Sequence, residues 1–279
     1  MPNRPKNLPD FKKPPINEVI LSFQFASLEK LKGPYVGLFW KSLRSQYPDI
    51  SEQPEVAPVF ETFGAPEGAR LIAFQAFSSP PTPRFWLQKE GLPDLLQIQR
   101  DRIMHNWRWM PEKVYPRYEK VRSKFEKEVQ KFEDFLKAER LGKLDINQCE
   151  VTYVNLIENI PSGLDLHGSL EEISPLWSGI TSDRAPGEIE NSVVQMRYFL
   201  DDEGERLGRI HVVMQPAFRQ SDLRPVFKVE ITARGKPRGS SVAEAFDLLD
   251  IERQAVVRTF AAVTTPEMHE LWGRTDVKH

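Results

Sequence analysis

The sequence predicts an α+β protein made of two similar halves, each an antiparallel sheet that carries a short and a long helix. The first observation is that the order strand, short helix, several antiparallel strands, long helix occurs twice along the chain. The second is a pair of short matches between the halves: "EV" at Glu18 and Glu150, and "LFW" and "PLW" before Lys41 and Ser178. Together they favour an internal duplication.

The chain is expected to begin with an extended proline-rich arm over residues 1–13, followed by an N-terminal half over 14–142 and a C-terminal half over 143–279. Prolines at positions 2, 5 and 9 block the hydrogen bonds of a helix or a sheet ladder. The arm lacks the apolar segment of a secretory signal, and no run approaches the ~18 apolar residues of a membrane span. These features predict a cytoplasmic protein without a membrane partner.

In the N-terminal half, "PPINEVILSFQF" alternates as a half-buried strand does, with Val19, Leu21 and Phe23 on one face. Helical spacing in "GPYVGLFWKSLRSQYP" predicts a short helix that buries Tyr35, Leu38, Phe39 and Leu43. The segments "ARLIAFQAF", "RFWLQKEG" and "LLQIQRDRIMHNWRW" are predicted strands, the last two joined at "GLPD". A long helix beginning near "YPRYEKV" has one apolar stripe, Tyr118, Val121, Phe125, Val129, Phe132 and Leu136.

In the C-terminal half, "CEVTYVNLIENI" and "PVFKVEITARG" are predicted strands, and "SVVQMRYFL" and "GRIHVVMQPAF" form a hairpin. A short helical or irregular segment is predicted at "GSLEEISPLWSGI". The closing long helix has an apolar face of Val242, Phe246, Leu249, Val256, Phe260 and Val263. Thr265 is a predicted N-cap for a last helix with Pro266 at its first position. By fold-level analogy the order resembles the TATA-binding-protein-like class, which includes helix-grip ligand-binding domains.

Composition excludes several classes of function. Lys plus Arg total 38 against 40 for Asp plus Glu, so no overall field drives the protein onto a polyanion. The single cysteine, Cys149, allows neither an intramolecular disulfide nor a cysteine-based zinc site, and it is expected to be a small buried residue beside a strand. No histidine pair has metal-ligand spacing, so neither a metal nor another cofactor is predicted.

Five phrases spread over nearly the whole chain carry a family resemblance: "PPINEV", "QIQRDRIMHNWR", "YPRYEKV", "CEVTYVN" and "TTPEMHELWG". In this order they resemble a sporadically distributed bacterial family of uncharacterised proteins. The resemblance implies a bacterial, full-length family member. It implies no activity, cofactor or catalytic residue, and its sporadic occurrence suggests a role associated with defence or immunity.

The sequence offers little support for catalysis. The glycine-rich phosphate loops and the "GxSxG" nucleophile elbow do not occur. Ser162, Asp165, His167 and Ser169 lie close together in one loop, but a catalytic triad needs groups held by separate elements. We therefore interpret this loop as capping and turn chemistry, and we expect the protein not to be an enzyme.

The candidate site is the Arg- and Trp-rich segment Leu95 to Trp109. In one regular strand, one face would carry Arg100, Arg102, Met104, Asn106 and Arg108, and the other Gln99, Asp101, Ile103, His105, Trp107 and Trp109. Three arginines in a row need anionic compensation, either from acidic residues on neighbouring strands, such as Glu90, or from an external ligand. Arg84, Arg234, Lys236 and Arg238 could extend the surface.

Three functions stay open. The first is a non-enzymatic interaction or adaptor protein that binds another protein through its sheets, its arm or the groove between the halves. The second is nucleic-acid binding through the Arg- and Trp-rich strand, in which arginines contact phosphates and tryptophans stack on bases. The third is a small-ligand site between sheet and helix. The sequence leaves the oligomeric state undetermined.

Overall fold

The structure is a computed structural model that describes residues 5, 7–61, 63, 83–163, 165–178, 187, 189–219 and 222–275. It is a mixed α+β fold with a large antiparallel sheet. The strands are β1 (Ile16–Phe25), β2 (Asp49–Gln53), β3 (Arg84–Gln88), β4 (Asp94–Gln99), β5 (Arg102–Arg108), β6 (Ile146–Ile157), β7 (Val194–Asp202), β8 (Glu205–Phe218) and β9 (Pro225–Gly235). The helices are α1 (Gly33–Leu43), α2 (Tyr118–Ala138), α3 (Leu170–Ile173), α4 (Val242–Val263) and α5 (Pro266–Leu271).

All of these strands belong to one continuous sheet in the order β2-β3-β4-β5-β1-β6-β9-β8-β7. Each strand is antiparallel to its neighbours. The strand that opens each predicted half, β1 or β6, lies at the centre, where the two pair directly. The two predicted halves are therefore joined by the backbone hydrogen bonds between β1 and β6.

One face of the sheet forms the core under α2 and α4. In β1, the alternate residues Val19, Leu21 and Phe23 are completely buried, as the period of a strand requires. The Phe23 ring lies 5.0 Å from that of Phe125 in α2 and 4.9 Å from that of Phe246 in α4. A single aromatic cluster thus joins the two long helices to the central strand.

The helix periodicities are largely confirmed. All six apolar positions predicted for α2 are buried. In α4 the predicted face is buried except for Val242, which is only partly covered, and Ser241 begins the helix with a capping box that includes Glu244. The prediction for α1 was wrong at Leu38, which is 51% exposed; the buried face is Val36, Phe39 and Leu43. Thr265 caps α5 as predicted.

The segment predicted as one strand from Leu95 to Trp109 is a hairpin, and this prediction was wrong. Residue Gln99 ends β4 and pairs with Arg102, which begins β5, so Arg100 and Asp101 form a two-residue turn. Asp is a common turn residue. The backbone carbonyls of Arg100 and Asp101 accept bonds from the amides of Leu28 and Phe25, which hold the turn in place. The turn reverses the alternation, so Gln99 lies on the same face as Arg102 instead of the opposite one.

Three other segments bear on the predictions. The short edge strand β2 was not predicted, and the predicted strand at "ARLIAFQAF" lies outside the described residues. The described part of the arm packs on the body, with Leu8 and Phe11 buried and the Lys12 amide donating to the Gly273 carbonyl. Within the described residues, no helix combines the length and the apolar character needed to cross a bilayer.

Candidate functional site: the polar face of the sheet

The face of the sheet opposite the two long helices is lined by polar side chains. Period-2 alternation places them there: each central strand sends its apolar residues to the core and its polar residues to this second face. Its members are Ser22, Gln24, Gln97, Gln99, Arg102, Asn106, Gln148, Glu150, Thr152, Arg209, His211, Thr232 and Arg234. Gln24 and Gln99 are almost completely buried, so something covers them.

Residues 55–61, which we call the strap, lie across this face and are held by side chains of the sheet. Gln99 makes two bonds to Val56: its Oε1 accepts from the Val56 amide at 2.9 Å, and its Nε2 donates to the Val56 carbonyl at 2.9 Å. Gln24 Oε1 accepts from the Val59 amide at 2.9 Å. Arg102 donates to the Ala57 carbonyl at 3.2 Å. Sheet side chains thus take the place of a neighbouring strand for the backbone of the strap.

Glu61 anchors the end of the strap. Its carboxylate lies 2.6 Å from Arg209 Nη1, 2.7 Å from His211 Nε2 and 3.5 Å from Arg234 Nη1. Burial acts to raise the pKa of Glu61, but the hydrogen bonds from His211 and Arg209 outweigh it and lower the pKa to about 2. A single carboxylate is therefore held ionised by two arginines and a histidine from β8 and β9.

The structure separates the residues of the predicted Arg- and Trp-rich site. Arg102 and Arg108 lie on the polar face, where Arg108 Nη2 donates to Gln88 Oε1 at 3.2 Å. Arg100 lies in the turn, 3.4 Å from Glu55 of the strap. Trp107 lies on the core face, buried against Tyr115, and Trp109 lies beyond the end of β5 and is half exposed. The arginines and tryptophans do not form one surface.

His105 belongs to a buried charge cluster on the core face. Its Nδ1 lies 2.8 Å from Glu128 Oε2, and its Nε2 lies 3.3 Å from Asp94 Oδ1. Tyr47 donates to the other Glu128 oxygen, and Lys124 Nζ lies 2.9 Å from Asp94. Burial would lower the pKa of His105, but the two carboxylates raise it to about 9. This histidine therefore joins β5 to α2 on the core face, away from the polar face.

The other residues considered for chemistry are engaged separately. Ser162 donates to Glu172, and His167 Nε2 contacts the carbonyls of Ala217 and Val226. These contacts place Ser162 and His167 in capping and loop roles, not in a triad. Arg84 donates to Gln97 on the polar face, and Arg238 pairs with Asp202 and Glu205 beyond it. Cys149 is fully buried in β6 as expected.

Sequence reasoning found Arg102 but missed most of the residues that hold the strap. Gln24 could have been found, because strand alternation places it opposite the core. Arg234 was named as a possible extension of the site, but without Glu61, which brings it together with His211 and Arg209. Glu61 lies 148 positions before Arg209 in the chain, and no local pattern encodes a contact at that separation.

No group of residues that could hold a metal ion is present in the described ranges. The predicted absence of a cofactor stays a prediction. No family model, curated protein or solved structure shows significant similarity to this chain.

Proposed function

We propose that this protein is a non-enzymatic interaction protein, and that the polar face of its sheet recognises an extended, acidic segment of another protein. The observation that carries the proposal is the pair of hydrogen bonds between the Gln99 side chain and the backbone of Val56. A side-chain amide that meets both the N–H and the C=O of one residue recognises an extended backbone whatever side chain that residue bears. Backbone recognition of this kind is a general basis for peptide binding.

The selectivity of the face comes from the Glu61 pocket. Arg209, His211 and Arg234 converge on one carboxylate, and Glu150 also pairs with Arg234. Charge-assisted hydrogen bonds are about twice as strong as neutral ones, so an acidic side chain is strongly preferred at this position. A partner segment with a Glu or Asp at the matching place would make the same contacts as the strap.

The strap is, in this proposal, an internal copy of the partner segment. Because it is tethered, it competes at a high effective concentration, and a partner must make additional contacts to displace it. Exposed apolar side chains lie beside the anchor and could supply them. Phe63 and Phe199 are 42% and 53% exposed, and Arg206 stacks over the Phe199 ring at 3.5 Å.

Nucleic-acid binding has weaker support from the geometry. A single-strand site needs aromatic rings that bases can stack on, next to cationic groups that are open to phosphates. Trp107 is buried on the core face, and Arg102, Arg209 and Arg234 are already engaged by Gln24, Glu61 and Glu150. A polyanion would have to compete with those partners.

The test uses a labelled synthetic peptide with the sequence of residues 54–63 and the full chain carrying Glu61→Ala, which releases the anchor of the strap. We expect the peptide to bind this variant more tightly than the unmodified protein, whose own strap fills the face. A peptide with Gln at the Glu61 position should bind about tenfold more weakly, because it loses the charge-assisted bonds. Fluorescence anisotropy measures both affinities.

Matched variants decide between outcomes. Adding Arg209→Ala to the Glu61→Ala chain should lower the affinity for the peptide about tenfold. Adding Glu90→Ala instead, at a residue outside the strap contacts, should leave that affinity unchanged. Equal binding of the acidic and the amide peptide, or no binding to any variant, would refute the proposal. Tight binding of single-stranded RNA that falls steeply with salt would favour the nucleic-acid alternative instead.

We infer that the two halves derive from one duplicated unit arranged as in the TATA-binding-protein-like class. The support is the pairing order: β3-β4-β5-β1 in the first half corresponds to β7-β8-β9-β6 in the second. Each series is followed by a long helix, α2 or α4. In this correspondence β2 is an extra edge strand of the first half.

A further inference from the structure

We propose that a second site, a cavity under the N-terminal arm, binds a small carboxylate through Arg253. The cavity has a volume of about 40 Å³, room for a small molecule, and lies at the end of the sheet between α2 and α4. The arm covers it from residue Pro9 to Pro14, and residues of β6 and α4 form its inner wall. The cavity lies on the core side of the sheet, so the proposal is independent of the strap.

Arg253 is the residue that points to a ligand. It is 3% exposed, and its guanidinium lies 5.1 Å over the Tyr118 ring. Its Nη2 contacts Glu119 Oε1 at 3.2 Å, but its buried Nε has no hydrogen-bond partner among the residues that the structure describes. A buried cationic donor without an acceptor is unfavourable, and a ligand oxygen would complete its coordination.

The surrounding groups favour a carboxylate with a short apolar tail. Tyr115 and Tyr153 have their hydroxyls 3.1 Å apart, so one proton serves their mutual bond and the other is left for a ligand. Val257 and Phe260 line the opposite side with apolar surface. An oxygen-rich head on Arg253 and a short tail against these side chains would match both surfaces.

A strained residue, Arg117, lines the cavity and holds the arm in place. Arg117 has φ 73° and ψ 154°, a backbone region that is otherwise almost restricted to glycine. It binds the arm in this conformation: Nη1 donates to Asp10 at 2.8 Å and Nη2 to the Phe11 carbonyl at 3.2 Å. The guanidinium of Arg117 thereby balances the negative charge of Asp10, an acidic residue of the lining, so that Asp10 does not repel an anion.

The test is a calorimetric titration of the full chain with acetate, propionate and butyrate, each compared with its neutral amide. We expect saturable binding of at least one carboxylate and at least tenfold weaker binding of the matching amide, since a neutral head loses the charge-assisted contact. The variant Arg253→Met, which keeps an unbranched apolar stem but removes the guanidinium, should reduce carboxylate affinity at least tenfold.

Two further variants keep the proposal testable if Arg253→Met does not fold. Glu119→Gln removes the carboxylate that competes for Arg253, so it should tighten carboxylate binding several-fold. Tyr115→Phe removes one hydroxyl and should weaken it several-fold. The proposal is overturned if no carboxylate saturates, if the amides bind equally well, or if Glu119→Gln and Tyr115→Phe both leave the affinity unchanged.

Discussion

Two histidine–glutamate pairs, one on each face of the sheet, have nearly the same geometry and different surroundings. His105 and Glu128 are 2.8 Å apart on the core face, where both side chains are almost fully buried under α2. His211 and Glu61 are 2.7 Å apart on the polar face, where the histidine is 26% exposed. The first pair joins a helix to the sheet, whereas the second holds the strap.

The charge arrangement of the two clusters is inverted. In the core, one histidine lies between two carboxylates, Glu128 and Asp94, which raise its pKa to about 9. On the polar face, one carboxylate lies among His211, Arg209 and Arg234, and its pKa falls to about 2. In both clusters the central group is held ionised by its neighbours. The histidines differ in burial, which fits a structural role for the first cluster and, in our proposal, an exchangeable contact for the second.

The largest effect is expected from Glu128→Ala in the buried pair. The change leaves His105 and Tyr47 without their shared acceptor, and breaking a buried pair typically costs about 3–5 kcal/mol in the free energy of unfolding. Chemical denaturation measures it. The control is Glu126→Ala in the same helix, because Glu126 is exposed and pairs with Arg122 at the surface. This change should cost less than about 1 kcal/mol. Equal losses of unfolding free energy for the two variants would mean that the buried cluster stabilises the fold no more than an exposed ion pair does.

The same cluster predicts how stability changes with pH. Because the folded pKa of His105, about 9, exceeds its ordinary value of 6.5, its contribution is fully present below pH 6.5 and is lost as the pH rises to about 9. The loss is on the order of 3 kcal/mol. Unfolding free energies measured from pH 6 to 9.5 should fall in the unmodified protein and fall less in His105→Gln. Parallel curves would contradict the assignment.

Glu61→Gln tests the exposed counterpart and should cost less. Losing the charge-assisted bonds to Arg209 and His211 is expected to reduce the unfolding free energy by about 1–3 kcal/mol. Amide exchange should speed up mainly at Val56 and Val59, whose amides bond to the sheet. The matched control is Glu55→Gln, which removes the 3.4 Å ion pair between Glu55 and Arg100 at the edge of the strap. It should lower the unfolding free energy by at most about 1 kcal/mol. Uniform exchange across the protein would argue against a separately released strap.

The pKa of Glu61 gives this variant a signature in acid. A folded pKa of about 2 lies below the ordinary glutamate value of 4.5, so its contribution is present above pH 4.5 and is lost as the pH falls towards 2. The stabilities of the unmodified protein and Glu61→Gln should therefore converge in acid. Those of the unmodified protein and His105→Gln should instead converge at high pH.

The smallest effect is expected from Glu252→Met, which tests a buried acid that forms no salt bridge within the described part of the chain. Glu252 is completely buried in α4, its carboxyl oxygens make no close hydrogen bond to a described residue, and burial raises its pKa well above the usual value. An apolar side chain of similar length should stabilise the fold by about 1 kcal/mol. Thermal unfolding near pH 8 measures the gain, and a loss of stability would indicate a hidden partner for this carboxyl.

Part of the candidate site was predictable from local patterns. Alternation in "SFQF" places Gln24 away from Phe23 and Phe25, and the same rule places Arg102 and Arg108 together. Alternation failed at Arg100 and Asp101 because two residues are enough to connect two antiparallel strands. A pair of polar residues is compatible both with a strand and with a turn, so the pattern did not reveal the reversal. The error moved Gln99, the residue that meets Val56, to the wrong face.

The sequence by itself determined which residues face the core: the stripes of α2 and α4 and the alternation of β1 follow from the periods of helix and strand. Only the tertiary structure decided what meets on the polar face. Glu61 reaches Arg209 and Arg234 across more than half of the chain, because β1 and β6 pair at the centre of the sheet and place β8 and β9 beside the strap. Periodicity is a property of neighbouring residues, whereas the convergence of charges depends on the order in which strands pair.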